Sequence, residues 1–511
     1  MDGFLAKINE INSAVNGFVW GVPALILLIG TGFLMTFRLK GFQFTHFSLS
    51  MKQTVGKLFS SKSVRKAKEK HSISQFQALC TALSATIGTG NISGIALAIT
   101  MGGPGAVFWM WLAALVGMMT NYSENVLGIY YRRRNLKGEW SGGAMYYLKT
   151  GLGSKKNCKT IGKVLAVLFS LFATIASFGI GNMSQVAAIK DSILNVVQFT
   201  GNQSTDALIV GIVIMVMAGL VILGGIKRIA KANERIVPVM AAFYIICSVV
   251  LIGMNADMIL PAFNSIFENA FNIHAVGGGI SGALLMNAIT WGFKRGVFSN
   301  EAGLGSSVMV HSASNVKEPV TQGMWGIFEV FFDTIIVCTL TALVILTSGV
   351  VDLQTGASLS GATNLGLATE AFTLHMGTWG GVFIAIAVTL FAFSTVLGWS
   401  YYGTKSWEYL FGTKSTIIFK TLFVVAVLAG TVLGTDLIIN LSDTFNGLMA
   451  IPNLVGVITL SGVVAKITSN YLKRRGKNGD PNIKPMLSHF EDIQEEHEAF
   501  LKRSNGEDSE E

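Results

Sequence analysis

Apolar residues gather along the chain into eleven long runs that alternate with shorter polar stretches. Runs of about twenty apolar residues have the length of a helix that crosses the hydrocarbon core of a bilayer. The pattern therefore predicts an all-α polytopic membrane protein with about eleven transmembrane helices. The predicted segments cover about 18–37, 76–100, 106–130, 164–188, 207–225, 236–256, 277–307, 319–348, 378–402, 416–434 and 444–467.

The composition supports a membrane protein and excludes several other classes. The 511 residues are 51% hydrophobic but only 13% charged, about half the usual charged share. The net charge of +9 comes from basic residues in particular loops, so we do not expect nucleic acid binding. The four cysteines have no metal or disulfide spacing and no nucleophile motif is evident, so we do not expect an enzyme or catalytic residues.

Loops with and without basic residues alternate between the predicted segments. Cytoplasmic loops of membrane proteins carry an excess of lysine and arginine. This rule assigns the loops after segments 1, 3, 5, 7, 9 and 11 to the cytoplasm, with the amino terminus outside and the carboxyl terminus inside. The charged tail ends in the acidic run 507–511, so we expect the tail to be disordered.

Two predicted segments are interrupted by residues that form helices poorly. The second is interrupted at 88–91 (GTGN), and the seventh at 290–293 (TWGF) and 300–303 (NEAG). Unpaired backbone groups are costly in hydrocarbon, so such a break persists only inside protein or beside a wet cavity. A glycine seam between closely packed helices is the alternative interpretation.

The two interrupted segments open two sets of five, namely segments 2–6 and 7–11. An odd number of helices per set gives the second set the opposite orientation. Interrupted segments at corresponding positions of two inverted halves point to a secondary transporter with its site near mid-membrane. We therefore divide the chain into a peripheral part (1–75), a first five-helix repeat (76–256), an inverted second repeat (257–467) and a charged cytoplasmic tail (468–511).

Several motifs resemble the alanine/glycine:cation symporter family. They are residues 82–91 (ALSATIGTGN) followed by 102–111 (GGPGAVFWMW), with 178–182 (FGIGN) and 299–305 (SNEAGLG) in agreement. The resemblance implies the LeuT-type fold, in which segment 1 is an extra peripheral helix. It also implies sodium- or proton-coupled uptake of small neutral amino acids, usually alanine or glycine and in some members glutamine.

The two breaks offer partners for both ends of a zwitterionic amino acid. Backbone N–H groups at a half-helix start suit its carboxylate, and acceptors of the other break suit its ammonium. Segment 4 would add a wall, and the resemblance implies a hydroxyl contact from Thr395 and a lid from Trp399. A membrane-interface anchor is the alternative role of Trp399. The expected substrate-binding residues are Gly88, Gly90, Asn91, Phe178, Gly179, Gly181, Asn182, Thr290, Trp291, Gly292, Thr395 and Trp399.

Sodium prefers a cage of oxygen atoms, and analogy with the LeuT-type fold implies two such cages. One would combine two carbonyls of segment 2 with two hydroxyls of segment 9. The other would combine a carbonyl and an amide side chain of segment 2, and the sequence leaves open whether Thr395 serves the ion or the substrate. The expected ligands are Ser84, Ile87, Ser394 and Thr395 in the first site, and Thr86 and Asn91 in the second.

Four ionisable residues lie near membrane depth: Glu124, Glu301, Glu329 and Asp333. A charge is expensive there unless it is paired. Hydrogen bonding to neighbouring helices is one interpretation, and a proton-coupled mechanism would need one of these carboxyls. A third interpretation is that Glu301 pairs with the basic residues 294–295 and forms a gate on the cytoplasmic side.

The sequence thus predicts a secondary active symporter that imports a small neutral amino acid with Na⁺ by alternating access. Proton coupling and a channel are the alternatives, and a channel would need one continuous polar lining. The expected partners are the amino acid, the co-transported Na⁺ and membrane lipid, with no obligate protein partner. The expected location is the cell membrane.

Overall fold

The computed structural model describes residues 2–67, 69, 71–271, 280–432, 436–475, 479–480 and 482–507. The start of the seventh predicted segment and residues 508–511 of the acidic run lie outside these ranges. Helices make up most of the described residues, which confirms the predicted all-α class. Their only sheet is an antiparallel pair formed by β1 (Arg133–Arg134) and β2 (Trp140–Ser141).

Fifteen α-helices lie in the described residues up to residue 271. Short 3₁₀ or π-helical turns join several of them, at Thr89–Asn91, Tyr147–Leu152, Gly179–Met183 and Ala256–Met258. The α-helices are α1 (Asp2–Val19), α2 (Val22–Arg38), α3 (Phe42–Thr45), α4 (Phe47–Gln53), α5 (Val55–Ser60), α6 (Lys62–Arg65), α7 (Gln75–Thr86), α8 (Ser93–Gly102), α9 (Ala106–Tyr130), α10 (Ala144–Tyr146), α11 (Lys159–Phe178), α12 (Ser184–Leu194), α13 (Gln203–Ile222), α14 (Ile226–Met254) and α15 (Ile259–Phe271).

Nine further α-helices follow in the described residues. A π-helical stretch at Phe331–Cys338 joins two of them, and a 3₁₀ turn at Thr413–Ser415 joins two others. The helices are α16 (Ile280–Asn300), α17 (Val308–His311), α18 (Pro319–Val330), α19 (Thr339–Thr347), α20 (Asn364–Met376), α21 (Thr378–Phe411), α22 (Thr416–Val432), α23 (Asp436–Arg475) and α24 (Glu491–Glu507).

Eight helical stretches of the described residues are long and apolar enough to cross a membrane, so the chain is a multi-pass membrane protein. They coincide with predicted segments 1, 4, 5, 6, 8, 9, 10 and 11. Segment 2 consists of the two short helices α7 and α8, segment 3 is α9 with a polar second half, and segment 7 is α16. The count of eleven transmembrane helices therefore stays a prediction.

Segment 2 breaks where the sequence predicts. A capping box of Ser74 and Gln77 starts α7, which ends at Thr86. Gly88 is then extended, with φ −132° and ψ −156°, and its N–H donates to the Asn91 side chain at 2.9 Å. This hydrogen bond replaces the helical partner that the Gly88 N–H has lost, so the break is held by its own sequence.

Segment 7 breaks at only one of the two predicted places. Helix α16 runs without interruption through Thr290, Trp291 and Gly292, so the break predicted there is wrong. A Cβ atom at Gly292 would lie 2.5 Å from a backbone oxygen of α9, so this glycine permits close helix packing. The helix ends at Asn300, and the turn that follows is the actual break.

The carboxyl-terminal tail is also more ordered than predicted. Residues 491–507 form α24, and Leu487, Ile493 and His497 are buried against the rest of the chain. The acidic composition suggested disorder, but these three positions share one buried surface that composition does not reveal. The described part of the tail is therefore an ordered cytoplasmic helix under the predicted topology.

Candidate functional site

The second break is a turn of unusual backbone geometry near the carboxyl-terminal end of segment 7. Glu301 has φ +56°, and Gly303 and Gly305 have φ +96° and +71°. A side chain at positive φ costs conformational energy, so Glu301 is held there by its surroundings, including the hydroxyl of Ser306, which donates to its carboxylate. The break thus presents a buried carboxylate beside the end of α16.

A single carboxylate joins the two breaks. The Asn91 amide of the first break donates to Asp333 Oδ1 at 2.6 Å, and the Ser299 hydroxyl of the second donates to Asp333 Oδ2 at 2.8 Å. Thr334 donates to the same Oδ2 at 2.9 Å. Asp333 lies in the π-helical stretch, where the extra residue per turn is a common feature of functional sites.

A small cavity lies between the breaks. Its walls come from α7, the turn after it, the π-helical stretch of segment 4, α16, α21 and α23. Thr395 and Trp399 in its wall are each only 2% exposed, whereas Gly90 and Phe298 are half-buried. The residues that line it are Ala85, Thr86, Gly88, Gly90, Ile180, Gln185, Phe298, Glu301, Thr395, Trp399 and Asn446.

Five residues predicted for the site line this cavity, and they come from segments 2 and 9. They are Thr86, Gly88, Gly90, Thr395 and Trp399. The space at Gly88 is tight, because a Cβ there would lie 2.7 Å from Thr395 Oγ1. Trp399 forms part of the cavity wall and is buried, so it does not lie on the outer surface of the molecule, and its role as a lid stays a prediction.

The predicted residues of segment 4 lie around the cavity and not in its lining. Gly181 packs on the lid, since a Cβ there would lie 2.3 Å from Trp399 Cβ. The Asn182 amide donates to the Phe423 carbonyl at 2.7 Å, and the Phe178 ring packs at a tilt against the Phe423 ring, with ring centroids 5.7 Å apart. Gly179 is buried in the π-helical stretch. Segment 4 reaches the cavity through Ile180 and Gln185 instead.

The predicted contacts Thr290, Trp291 and Gly292 do not line the cavity, which corrects that part of the site. The α16 residue that does is Phe298, about two turns further along the helix. Because α16 stays helical to Asn300, the end of the helix and not its middle meets the first break.

Some of the ligands predicted for the first sodium site lie close to one another. Thr395 Oγ1 lies 2.9 Å from the Ser84 carbonyl, near the end of α7, where carbonyls lose their helical partners. Thr395 and Ser394 both donate to the Phe391 carbonyl at 2.9 Å. Two predicted ligands, Ser84 and Thr395, therefore meet at the cavity wall, and Ile87 follows directly after α7.

Asp333, which the sequence leaves among several buried acids, lies beside a residue predicted for the second sodium site. Asn91 lies beside the cavity with its amide turned to Asp333, and Thr86 lines the cavity. The described residues contain no ion pair to Asp333, so its charge is not balanced by a nearby lysine or arginine. The spacing from Asn91 to Asp333 in sequence is 242 residues, and no local motif links them.

The remaining buried acids have polar partners. Asn453 donates to Glu124, and Glu329 Oε2 lies 2.9 Å from His311 Nε2. Lys294 pairs with Asp443 at 3.8 Å, not with Glu301, so the predicted gate between Glu301 and residues 294–295 is wrong. The reason is the direction of α16, which places Lys294 away from the break and close to Asp443 in the amino-terminal part of α23.

Two helices that break beside each other around a cavity with polar lining residues are typical of secondary membrane transporters. The chain belongs to the sodium:alanine symporter family, whose model matches residues 5–485. It is 44% identical over 468 residues to the sodium/alanine symporter AgcS of Methanococcus maripaludis, covering 92% of this chain and 97% of that protein. It is 35% identical to the probable sodium/glutamine symporter GlnT of Bacillus subtilis, covering 93% of each.

Two solved structures are similar to the chain at low sequence identity and with TM-scores below 0.5. The amino-acid-bound MhsT, in complex with L-phenylalanine, is 12% identical, with a TM-score of 0.49 over 78% of this chain and 99% of that chain. A Na⁺-coupled sialic acid symporter is 11% identical, with a TM-score of 0.45 over 94% of this chain and 96% of that chain.

Proposed function

We propose that this protein imports a small neutral amino acid, with alanine as the first candidate, together with Na⁺ by alternating access. The observation that carries the proposal is the cavity between the two helix breaks, which is lined by backbone of the first break, the Glu301 carboxylate and the Trp399 ring. The 44% identity to a sodium/alanine symporter supports alanine, and the 35% identity to a probable sodium/glutamine symporter keeps glutamine as a second substrate to test.

The cavity offers partners for both charged ends of the substrate. The Gly88 N–H of the first break already donates to Asn91, whereas the Thr89 N–H makes only a long hydrogen bond of 3.5 Å to Gln185, which a substrate carboxylate would replace. Glu301 has no cationic partner in the described residues and lines the same cavity, so a substrate ammonium would supply the missing counter-charge. Trp399 and Phe298 then limit the size of the side chain.

The proposed sodium ligands divide into two groups around the substrate. The first group is the Ser84 carbonyl with the Thr395 hydroxyl, with Ile87 and Ser394 adjacent. The second is the Thr86 carbonyl and Asn91, and we add Asp333 because it is an unpaired carboxylate at mid-membrane. A Na⁺ ion bound beside Asp333 would remove the cost of burying that charge.

Coupling to Na⁺ provides enough free energy for accumulation. A neutral amino acid that moves with one Na⁺ carries one net charge, and a potential of 100 mV supplies ~2.3 kcal/mol per charge. At ~1.4 kcal/mol per decade, this corresponds to roughly fifty-fold accumulation before the sodium gradient adds its share. A cavity between two helix breaks fits such a coupled cycle better than the continuous polar lining that a channel would need.

The test is uptake of labelled L-alanine, glycine and L-glutamine into proteoliposomes with an inward Na⁺ gradient, a proton gradient or neither. We expect saturable alanine accumulation that needs Na⁺. Accumulation driven by protons alone would replace the sodium proposal with proton coupling, for which the buried pair His311 and Glu329 is the structural candidate. Absence of accumulation for all three substrates under every gradient would refute the substrate class.

A further inference from the structure

Residues 486–502, here called the tail segment, bind the end of the molecule that the loop charges assign to the cytoplasm. The main-chain N–H of His489 donates to the Tyr130 carbonyl at 2.9 Å. The N–H of Met486 donates to the Asn470 side chain at 3.2 Å. The Gln494 side chain accepts from two main-chain N–H groups of the turn before α24, at 2.8 and 2.9 Å. The tail segment is therefore docked through specific contacts.

One face of α24 is buried in this contact. Ile493 and His497, one helical turn apart, are 6% and 0% exposed. The His497 ring packs edge-on against Trp140, with ring centroids 5.7 Å apart. Neither ring nitrogen of His497 has a hydrogen-bond partner in the described residues, and burying unpaired polar atoms costs free energy. The contact is therefore specific, but the unpaired imidazole of His497 lowers its stability.

The charges on the two sides of the contact are complementary. Glu496 of α24 forms an ion pair with Arg134 at 2.6 Å, and the Arg133 guanidinium lies 3.6 Å from the Phe490 ring centroid. Complementary charges favour docking in the correct orientation and fix the register of α24 on the surface that it contacts. The acidic residues in the first turns of α24 are Glu491, Asp492, Glu495, Glu496 and Glu498.

A buried arginine links the docking surface to the loop that follows the second helix break. Arg132 lies under the tail segment, with its guanidinium 4.1 Å from the Trp140 ring centroid. The same guanidinium donates to the carbonyls of Ser312 at 3.0 Å and Ser314 at 2.7 Å, and to Val316. The loop 312–316 therefore rests on the arginine–tryptophan pair that α24 covers.

The same loop is tied to the chain that leads into the first broken helix. The Ile73 N–H donates to the Ala313 carbonyl at 3.1 Å, and the Asn315 N–H donates to the Ile73 carbonyl at 2.8 Å. Lys317 forms an ion pair with Glu69. The cytoplasmic ends of both broken helices are thus joined to each other directly above the docked tail segment.

We propose that α24 is a latch that holds the inner gate closed. The inner gate is the contact of α7 with α14, where Gln77 donates to Glu234 and Asn233 donates to Ser84 Oγ, each at 2.8 Å. Opening the cavity to the cytoplasm must separate these helices. The docked tail segment holds the loop 312–316 and, through it, the residue before α7, so its release precedes inward opening. This inference rests on the proposed alternating-access function.

The latch is tested with variants that undock α24. One chain ends at Leu487, and a second carries Ile493→Asp, which places a charge on the buried face. Ala499→Asp is the matched control, because it adds the same charge to an exposed position of the same helix. Size-exclusion profiles establish that each variant is folded before it is compared.

Opening of the inner gate is reported by Cys80, which is 1% exposed in α7 and lies near Glu234 of α14. The measurement is the labelling rate of Cys80 by a water-soluble maleimide, in purified protein whose other cysteines are replaced by serine. The replaced residues are Cys158, Cys247 and Cys338.

We expect labelling of Cys80 to be several-fold faster in the chain that ends at Leu487 and in Ile493→Asp, and unchanged in Ala499→Asp. A synthetic peptide of residues 486–507 should slow labelling of the shortened chain again. Equal rates in all four proteins, or equal acceleration by Ala499→Asp, would overturn the latch. Because labelling needs no substrate, a failed uptake experiment would refute the proposed transport function and leave this measurement interpretable.

Discussion

At the scale of single residues, the site depends on side chains that join distant segments. Asp333 is the clearest case, because it accepts hydrogen bonds from both helix breaks at once. Thr395 is a second case, because it connects α21 to the free carbonyl end of α7. Both residues have neighbours that offer matched controls for substitution.

Asp333→Asn should raise the Na⁺ concentration needed for half-maximal uptake by about tenfold, since the carboxylate is the charged ligand of the second proposed sodium site. The expected change costs ~1.4 kcal/mol of ion binding. Na⁺ dependence of alanine uptake is the measurement, and Asp352→Asn, which removes the same charge from an exposed loop, is the control. An unaltered Na⁺ dependence with normal protein levels would remove Asp333 from the sodium site.

Thr395→Ala should weaken Na⁺-dependent uptake, whereas Thr395→Ser should retain it, because only the hydroxyl oxygen is proposed as a ligand. Thr389→Ala is the control on the same helix, since the Thr389 hydroxyl bonds only its own helix, at the Ala385 carbonyl. The apparent affinity for Na⁺ in proteoliposomes is the readout. Equal loss in the alanine and serine variants would indicate a packing role for Thr395.

Gly181→Ala should destabilise the protein and impair uptake, because the added methyl would lie 2.3 Å from Trp399 Cβ. Overpacking of this kind costs about 1–3 kcal/mol. Thermal unfolding measures the loss, and Gly381→Ala, a helical glycine with no atom within 4 Å of the added methyl, should leave stability unchanged or improved. A Gly181→Ala protein of normal stability and uptake would contradict the close packing of the lid.

At the scale of helices, a second contact lies on the opposite side of the cavity from α24. It is the ion pair of Lys294 on α16 with Asp443 on α23, and it resembles a second gate. Asn16 of α1 donates to Asp443 at 2.9 Å, and Trp20 donates to its carbonyl at 3.2 Å. Helix α1 therefore takes part in this contact. The predicted topology assigns this side of the molecule to the outside.

The double variant Lys294→Asp with Asp443→Lys, which exchanges the two charges, should retain more uptake than either single variant. Each single variant leaves one partly buried charge unpaired. A double-mutant cycle on the uptake rate measures the coupling between the two residues. Additive losses, with no recovery in the double variant, would show that the pair does not act as a gate.

The helices also show how far local sequence reasoning reaches. The break at 88–91 was predicted correctly because glycine and asparagine act on their own backbone, as the Gly88–Asn91 hydrogen bond shows. The break at 290–292 was predicted wrongly because a glycine that permits close helix packing and a glycine that ends a helix look the same in sequence. Gln185 and Phe298 were missed because their approach to the cavity depends on helix rotation.

At the scale of the whole molecule, docking of α24 should depend on pH. Burial, with the neighbouring cations Arg132, Lys317 and Arg134, lowers the pKa of His497 from 6.5 to about 2. The docked state therefore binds the imidazole without its proton, and the undocked state gains a proton as the pH falls below 6.5. Docking is strongest above pH 6.5 and weakens progressively between 6.5 and 2.

Between pH 7.5 and 5.5 this linkage should favour undocking by about tenfold, measured as faster labelling of Cys80 relative to a model thiol at each pH. His497→Phe should reduce the effect. His489, whose pKa is lowered by burial and by Arg133, acts in the same direction, while Glu69 and Glu496 also face this contact. An undiminished dependence in His497→Phe would assign the effect to these other groups.

The sequence by itself determined the class of the protein, the helical segments and the first break, because hydrophobic periodicity and backbone propensity act over a few neighbouring residues. Tertiary structure decided which residues meet. The approach of Asp333 to Asn91, the turn of α16 that brings Phe298 to the cavity, and the docking of α24 on Trp140 each join positions far apart in the chain. Such contacts depend on helix rotation and crossing geometry, which only the packed molecule defines.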